Sequence, residues 1–187
     1  MVTPMLGPTT SQIAGVACST LESLPDSRGT FAEVFRNEWT SEFNPVQWNW
    51  TSNHANVLRG FHCHVRHTDL LVVLEGSMQL GLKDLRPNSP SYGVAELLTL
   101  RPVTDLVVIP PGVGHGFYFP ERTTMLNAVS HTWSKDDELG CRWDDSELGI
   151  AWECDRPVIS ERDRVAGPLA VLQAEVRRGL VDNGTSL

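Results

Sequence analysis

Long apolar runs are missing from this sequence. None approaches the roughly 20 residues that span a bilayer, which argues against a membrane protein. Clustered positive charge is missing as well. With 15 Lys and Arg against 23 Asp and Glu, a formal net charge of −8 and no basic run, the chain lacks the electrostatic footprint that a phosphate backbone requires, so no nucleic acid is expected as a partner. A small anionic ligand stays open, because two or three local arginines suffice to hold one. Cysteines are few, at four (Cys18, Cys63, Cys141, Cys154), and none forms a CxxC pair; reduced thiols are predicted, not disulfides. The N-terminal stretch MVTPMLGPTTSQIAGVACST has no basic segment followed by a continuous apolar one, so no export signal is expected and the expected location is cytoplasmic.

What is present describes one domain with extensions. The 187 residues suffice for a single well-buried core and fall short of two, and 41% hydrophobic residues supply it. Residues 1–24, rich in Pro, Thr, Ser and Gly, read as an N-terminal arm or edge strand. Residues 25–163 alternate short apolar segments (GTFAEVF, VQWNWTS, DLLVVLEGSMQLGL, DLVVIPPG, TMLNAVSHTW) with turn chemistry at DSRG, RPNSPSYG, RPVTD and PPGVG, which predicts an all-β barrel or sandwich. In the extension 164–187, Val165, Leu169, Val171, Leu172 and Val176 fall near helical spacing, and one short C-terminal helix ending near Gly179 is expected. Trp48, Trp50, Trp143 and Trp152 are expected to pack a barrel wall or a subunit interface. KDDELG reads as a solvated turn, and His54 and His67 as surface residues, with His67 close enough to its neighbours to be kept as an acid or base.

The stretch LRGFHCHVRHTDLLVVLEG carries the densest chemistry. On a strand, residues i and i+2 face one side, so His62 and His64 can point together into a barrel while Cys63 points away. Four residues separate His64 from Asp69 and six separate Asp69 from Gly76, and much later PPGVGH delivers His115 after a Pro-Gly turn. This spacing resembles the two short motifs of the cupin superfamily, with Asp69 in place of the usual Glu and Asn56 in place of the usual first Gly. The resemblance implies a double-stranded β-helix, the cupin jelly roll, in which His62, His64, Asp69 and His115 meet around a divalent transition metal. Imidazoles and a carboxylate suit Fe, Zn, Ni, Mn or Co alike.

Six further segments, DSRGTFAEVF, PVQWNWTSNHANVLRGFHCH, DLRPNSPSYG, IPPGVGHGFYF, DDSELGIAW and ISERD, resemble in order and spacing the dTDP-4-dehydrorhamnose 3,5-epimerase family from about residue 26 to 163. The resemblance implies that Arg28, Phe31, Glu33, Gln47, Asn49 and Arg59 contact a nucleotide-sugar, the two arginines serving its diphosphate. It implies that His62 removes a proton beside a keto group and that Asp163 orients it. It also implies a homodimer in which an N-terminal strand crosses to the partner. Four positions depart from the family pattern. Asp69 stands where the family has an enolate-stabilising lysine, Asn127 where it has a tyrosine acid, His64 where it has glutamine, and Trp133 where a tyrosine offers its ring.

Two of these changes complete a cupin ligand set, and a divalent cation would polarise a carbonyl without lysine or tyrosine. The leading expectation is therefore a metal-dependent, epimerase-like cupin acting beside a carbonyl (epimerisation, isomerisation, cyclisation or elimination) on a keto-sugar nucleotide or another small molecule. Under it Asp163 becomes the partner of a metal-bound His62, and the base is metal-bound hydroxide, Glu33, His67 or His131. The alternative is a metal-free dTDP-4-keto-6-deoxyhexose 3- or 3,5-epimerase using the His62/Asp163 pair. A third is a non-catalytic sugar- or metabolite-binding cupin.

Overall fold

The computed structural model describes residues 9–39 and 43–183. Its strands are β1 (Ala17–Thr20), β2 (Ser23–Asp26), β3 (Gly29–Ala32), β4 (Gln47–Asn53), β5 (Val57–Cys63), β6 (Asp69–Glu75), β7 (Met78–Asp84), β8 (Ala95–Leu100), β9 (Asp105–Ile109), β10 (Val113–Phe119), β11 (Thr123–Val129) and β12 (Leu139–Gly140), followed by helices α1 (Glu161–Arg164) and α2 (Leu169–Asp182). They form two five-stranded antiparallel sheets, ordered β1-β9-β6-β11-β4 and β12-β5-β10-β7-β8, and a separate β2–β3 hairpin. This is the expected all-β jelly roll with a C-terminal helix.

The alternation of β6 explains how the barrel is filled. Leu71 and Val73 join Val107, Ile109 and Met125 against Met78, Leu80, Leu82 and Phe119 of the other sheet, while Leu70 and Val72 turn outward into a second cluster with Leu21, Phe43 and Leu106. Both faces of β6 are buried, so its sequence LLVV is continuously apolar where a half-exposed strand would alternate. Asp69 begins this strand on the inward set with Leu71 and Val73, which aims a carboxylate at the barrel interior. The outer face of the second sheet is covered by α2, whose Leu169, Leu172, Val176 and Leu180 pack on Phe61, Cys63 and Leu85.

Two expectations change here. The C-terminal helix does not stop near Gly179 but runs to Asp182. Glycine serves a close approach instead: a Cβ on Gly179 would come within 2.8 Å of Val65 Cγ2, so the helix backbone presses directly on the segment that follows β5. Of the tryptophans, Trp152 lies across Gly81 and Gly116 as a wall residue, while Trp48 and Trp50 on β4 are 43% and 63% exposed, too open for a barrel wall. Asn56, standing where the motif pattern has glycine, takes φ +59°, a left-handed conformation that Asn adopts more readily than most residues.

The loop between β7 and β8 is tied to the same region. Asp84, fully buried, accepts hydrogen bonds from Arg86, Ser89 and Ser91, and Arg86 packs under Gly112, whose N–H donates to the carbonyl of His64 at 2.7 Å. Burial pushes the Asp84 carboxyl up, but the bonds from Arg86, Ser89 and Ser91 outweigh it and hold it below the usual carboxylate range. Because the folded value is depressed, its contribution is full above the ordinary pKa of about 3.9 and is lost as pH falls through the folded value. Asp84→Ala, which strands the Arg86 charge, is expected to lower stability by about 3–5 kcal/mol near neutral pH, with the gap to wild type closing in acid; urea unfolding at pH 7 and below pH 4 checks it.

Candidate active site

At one end of the barrel the apolar core stops and a cavity of about 600 Å³ opens between the sheets. The second sheet contributes Arg59 and His62 from β5, His64 just beyond it, and His115 from β10. The first contributes Asn49 from β4, Asp69 from β6 and Asn127 from β11, and the connecting segments add His67, Trp133 and Asp163. His115 is the register partner of His62, and Asn127 of Asn49, so each pair sits side by side on an inward face. Arg59 Nε donates to Asn53 Oδ1 at 2.7 Å, fixing the root of a guanidinium at the cavity edge.

His62 Nε2 lies 2.7 Å from Asp163 Oδ1. A carboxylate accepts, so Nε2 carries the hydrogen and Nδ1 is left as the lone-pair nitrogen. Asp163 is buried in the first turn of α1, which Ser160 caps through a bond from the Asp163 N–H. Burial raises its pKa, yet the hydrogen bond and charge of His62, with Ser160 and the Gly60 N–H, bring it below the usual carboxylate range.

A second constellation stands apart from that pair. Asp137 is buried: its carboxylate accepts the Val65 N–H at 2.8 Å and the Arg66 N–H at 3.3 Å, and lies 3.1 Å from His67 Nδ1. Its carbonyl lies 2.9 Å from His64 Nδ1. The rings of His64 and His67 stack with centroids 4.0 Å apart. Asp69 Oδ1 accepts from Asn127 Nδ2 at 2.9 Å, and Asp69 Oδ2 faces His67 Nε2 at 3.6 Å. Burial opposes charge on His67, but the Asp137 hydrogen bond and the charges of Asp69, Asp137 and Glu138 raise its pKa above the ordinary imidazole value. Burial, with the neighbouring His64 and His62, drives His115 well below that value; a neutral ring remains, whose Nδ1 has no hydrogen-bond partner.

The metal set expected from spacing is therefore redrawn. Ligand atoms of His64, His67 and Asp69 come within 4.8 Å of one another, and among the described residues no such group includes His62 or His115. His62 falls outside that group and stands as a pair with Asp163, and His67 enters because the turn after β5 folds it inward. His67 is accordingly no surface residue, at 4% exposure. KDDELG is not a solvated turn either: Ser134 caps a 3-10 turn at Lys135–Asp137 that swings Asp137 inside, and Glu138 lines the cavity beside Arg162.

Five expected residues lie outside the cavity lining within the chain. Arg28 is exposed and pairs with Asp26 in the β2–β3 hairpin; Phe31 and Glu33 line a separate groove, where Glu33 pairs with Arg36. His131 is exposed and bonded to Ser130. Gln47 holds position from behind, donating to Asn49 and accepting the Trp133 N–H. Asp137, Glu138, Arg162 and Asn53 were not singled out from the sequence. The only signal for Asp137 was an acidic residue three positions after a helix-capping Ser134, which many surface turns share.

The family model described as dTDP-4-dehydrorhamnose 3,5-epimerase matches residues 10–170. The chain is 30% identical to the spore coat polysaccharide biosynthesis protein SpsL of Bacillus subtilis, over 75% of this chain and 96% of that protein. It is 31% identical to a dTDP-4-dehydrorhamnose 3,5-epimerase of Sinorhizobium fredii, over 74% of this chain and 76% of that one. Its fold matches, with a TM-score of 0.82 and 25% identity, the crystal structure of a dTDP-6-deoxy-D-glucose-3,5-epimerase of Legionella pneumophila in complex with dTDP-4-keto-L-rhamnose, covering 91% of this chain and 96% of that one.

Proposed function

The chain belongs to the dTDP-4-dehydrorhamnose 3,5-epimerase family, and from that membership we propose that it removes and returns a proton beside the keto group of a dTDP-linked 4-keto-6-deoxyhexose, with His62 as the base. The observation that carries this reading is the 2.7 Å pairing of His62 with a buried Asp163 at the cavity wall. Asp163 fixes the tautomer that leaves Nδ1 free and stabilises the imidazolium formed when the proton arrives. The expectation that His62 is a metal ligand gives way to this one, because its ring nitrogens lie outside the group formed by His64, His67 and Asp69 and its free Nδ1 is the lone pair a base needs.

The walls suit such a substrate. Arg59 supplies a planar fork for diphosphate oxygens in a chain that is otherwise acidic, and exposed Trp133 offers a flat face at the rim. Asn49 and Asn127 present amide groups from the sheet opposite His62. Asn127 holds no acidic proton and already donates to Asp69, so the proton delivered to the other ring face must come from elsewhere than the position the family gives to tyrosine.

The hairpin fits the same reading in a homodimer. Exposed Leu24 and Phe31 border a groove apart from the main cavity, and in a homodimer we place the hairpin, with Arg28, Phe31 and Glu33, over the cavity of a second copy. The site would then be composite, with the base from one protomer and a diphosphate-binding arginine from its partner.

Incubating the protein with dTDP-4-keto-6-deoxyglucose in deuterium oxide tests the chemistry. Wild type is expected to incorporate deuterium at C3, C5 or both. His62→Asn should slow exchange by about 10²–10⁴-fold, and Asp163→Asn should both slow it and displace its pH profile. Exchange untouched by His62→Asn would remove His62 as the base, and no exchange in wild type would leave only a binding protein.

Complementation tests the composite site. Arg28→Glu and His62→Asn are each expected to be nearly inactive alone, and mixed dimers of the two should regain activity through the one site that has both native residues. No recovery from demonstrably mixed dimers would put Arg28 outside the site.

A further inference from the structure

We propose that His64, His67 and Asp69 form a binding site for a divalent transition-metal ion, separate from the His62/Asp163 pair and different from the ligand set that motif spacing anticipates. The argument rests on where the hydrogens must be. His64 Nδ1 faces the Asp137 carbonyl at 2.9 Å, and a carbonyl only accepts, so Nδ1 carries the hydrogen and Nε2 presents its lone pair. His67 Nδ1 faces a carboxylate oxygen of the same residue at 3.1 Å, with the same consequence for its Nε2. One residue thereby sets both imidazoles in the metal-binding tautomer. A ring whose far N–H is held by a carbonyl or carboxylate is the usual support of a metal-ligating histidine.

The third ligand is prepared in the same way. Asn127 occupies Asp69 Oδ1 and leaves Oδ2 facing the cluster. The 3.6 Å between Asp69 Oδ2 and His67 Nε2 is too long for a good hydrogen bond. It is close to the separation of about 3.4 Å between two ligands of a tetrahedral ion with bonds of about 2.0–2.1 Å. His115, 97% buried, places its ring 5.2 Å from that of His64, and its Nδ1 is the one buried side-chain nitrogen or oxygen among the described residues without a hydrogen-bond partner. His115 lines the same cavity, and its ring nitrogens lie outside the group of three.

The acidic surroundings favour a cation. Asp69, Asp137 and Glu138 flank the rings, and Arg162, a cation lining the same cavity, is bound to Glu138. Zinc and its neighbours match a two-imidazole, one-carboxylate set that leaves a coordination position open. When bound, such an ion would supply Lewis-acid polarisation on the wall where the family pattern has lysine and tyrosine. The rival occupant is a proton on His67 between the Asp69 and Asp137 carboxylates, and it predicts a different outcome.

The test uses the full-length protein, freed of metal with a chelator and titrated without substrate, so failure here is distinguishable from failure of the proposed epimerase chemistry. Isothermal titration with Zn(II), and visible absorption with Co(II), are expected to show one equivalent bound per chain. The Co(II) bands should have the intensity of a four- or five-coordinate ion. His67→Gln and Asp69→Asn should abolish that binding, and Asp137→Asn should weaken it by about 10–100-fold through the loss of the imidazole support. Circular dichroism checks that each variant is folded; if His67→Gln is not, His64→Gln carries the same expectation. His62→Asn should leave the affinity unchanged. Wild type that binds no metal, or binding that survives both Asp69→Asn and the histidine variant, overturns the site and leaves the cluster to the proton.

Discussion

Asp137 holds the histidine segment in place. Its carboxylate takes the N–H groups of Val65 and Arg66, so the chain leaving β5 must bend where it does, and the same group fixes the ring of His67 while its carbonyl fixes that of His64. A carboxylate this buried stays charged only if its bonds repay desolvation. Burial pushes its pKa up, and the His67 and Val65 bonds with the nearby imidazoles bring it below the usual range. Behind it, Gly179 lets α2 press on Val65, and the Gly112 N–H grips the His64 carbonyl. Three elements distant in sequence thus lock the four residues 64–67.

The cavity divides its work between the two sheets. The β5 side holds a histidine oriented by a carboxylate, a pair suited to moving a proton. The facing wall holds Asp69 and Asn127, bonded to each other at the two positions where the family resemblance leads one to expect a lysine and a tyrosine. Asn127 takes one oxygen of Asp69, and His67 faces the other.

How far the sequence could be read follows from the range of the forces involved. Strand alternation and turn chemistry are local, so the all-β architecture and the shared face of His62 and His64 were visible. Ordered motifs over most of the chain made the family visible. His67 and Asp137 were hidden because each sits in a turn whose direction is decided by a contact about seventy residues away. Spacing rules see ligands on strands and miss ligands on loops. Gly179 misled for a related reason: a glycine that ends a helix and one that admits a neighbouring side chain look alike until the neighbour is known. Arg28, Phe31 and Glu33 were placed by resemblance alone, and a single chain keeps them away from the cavity.

Strand β4 closes one side of its sheet with no described strand beyond it, and it carries Trp48 and Trp50 outward into solvent. An open rim of backbone donors and acceptors studded with indoles is a template for adhesion to any extended chain. A second extended segment laid along it would cover both the backbone groups and the indoles. Left bare, such a rim would announce itself as turbidity in a concentrated solution, before any helix or sheet signal is lost.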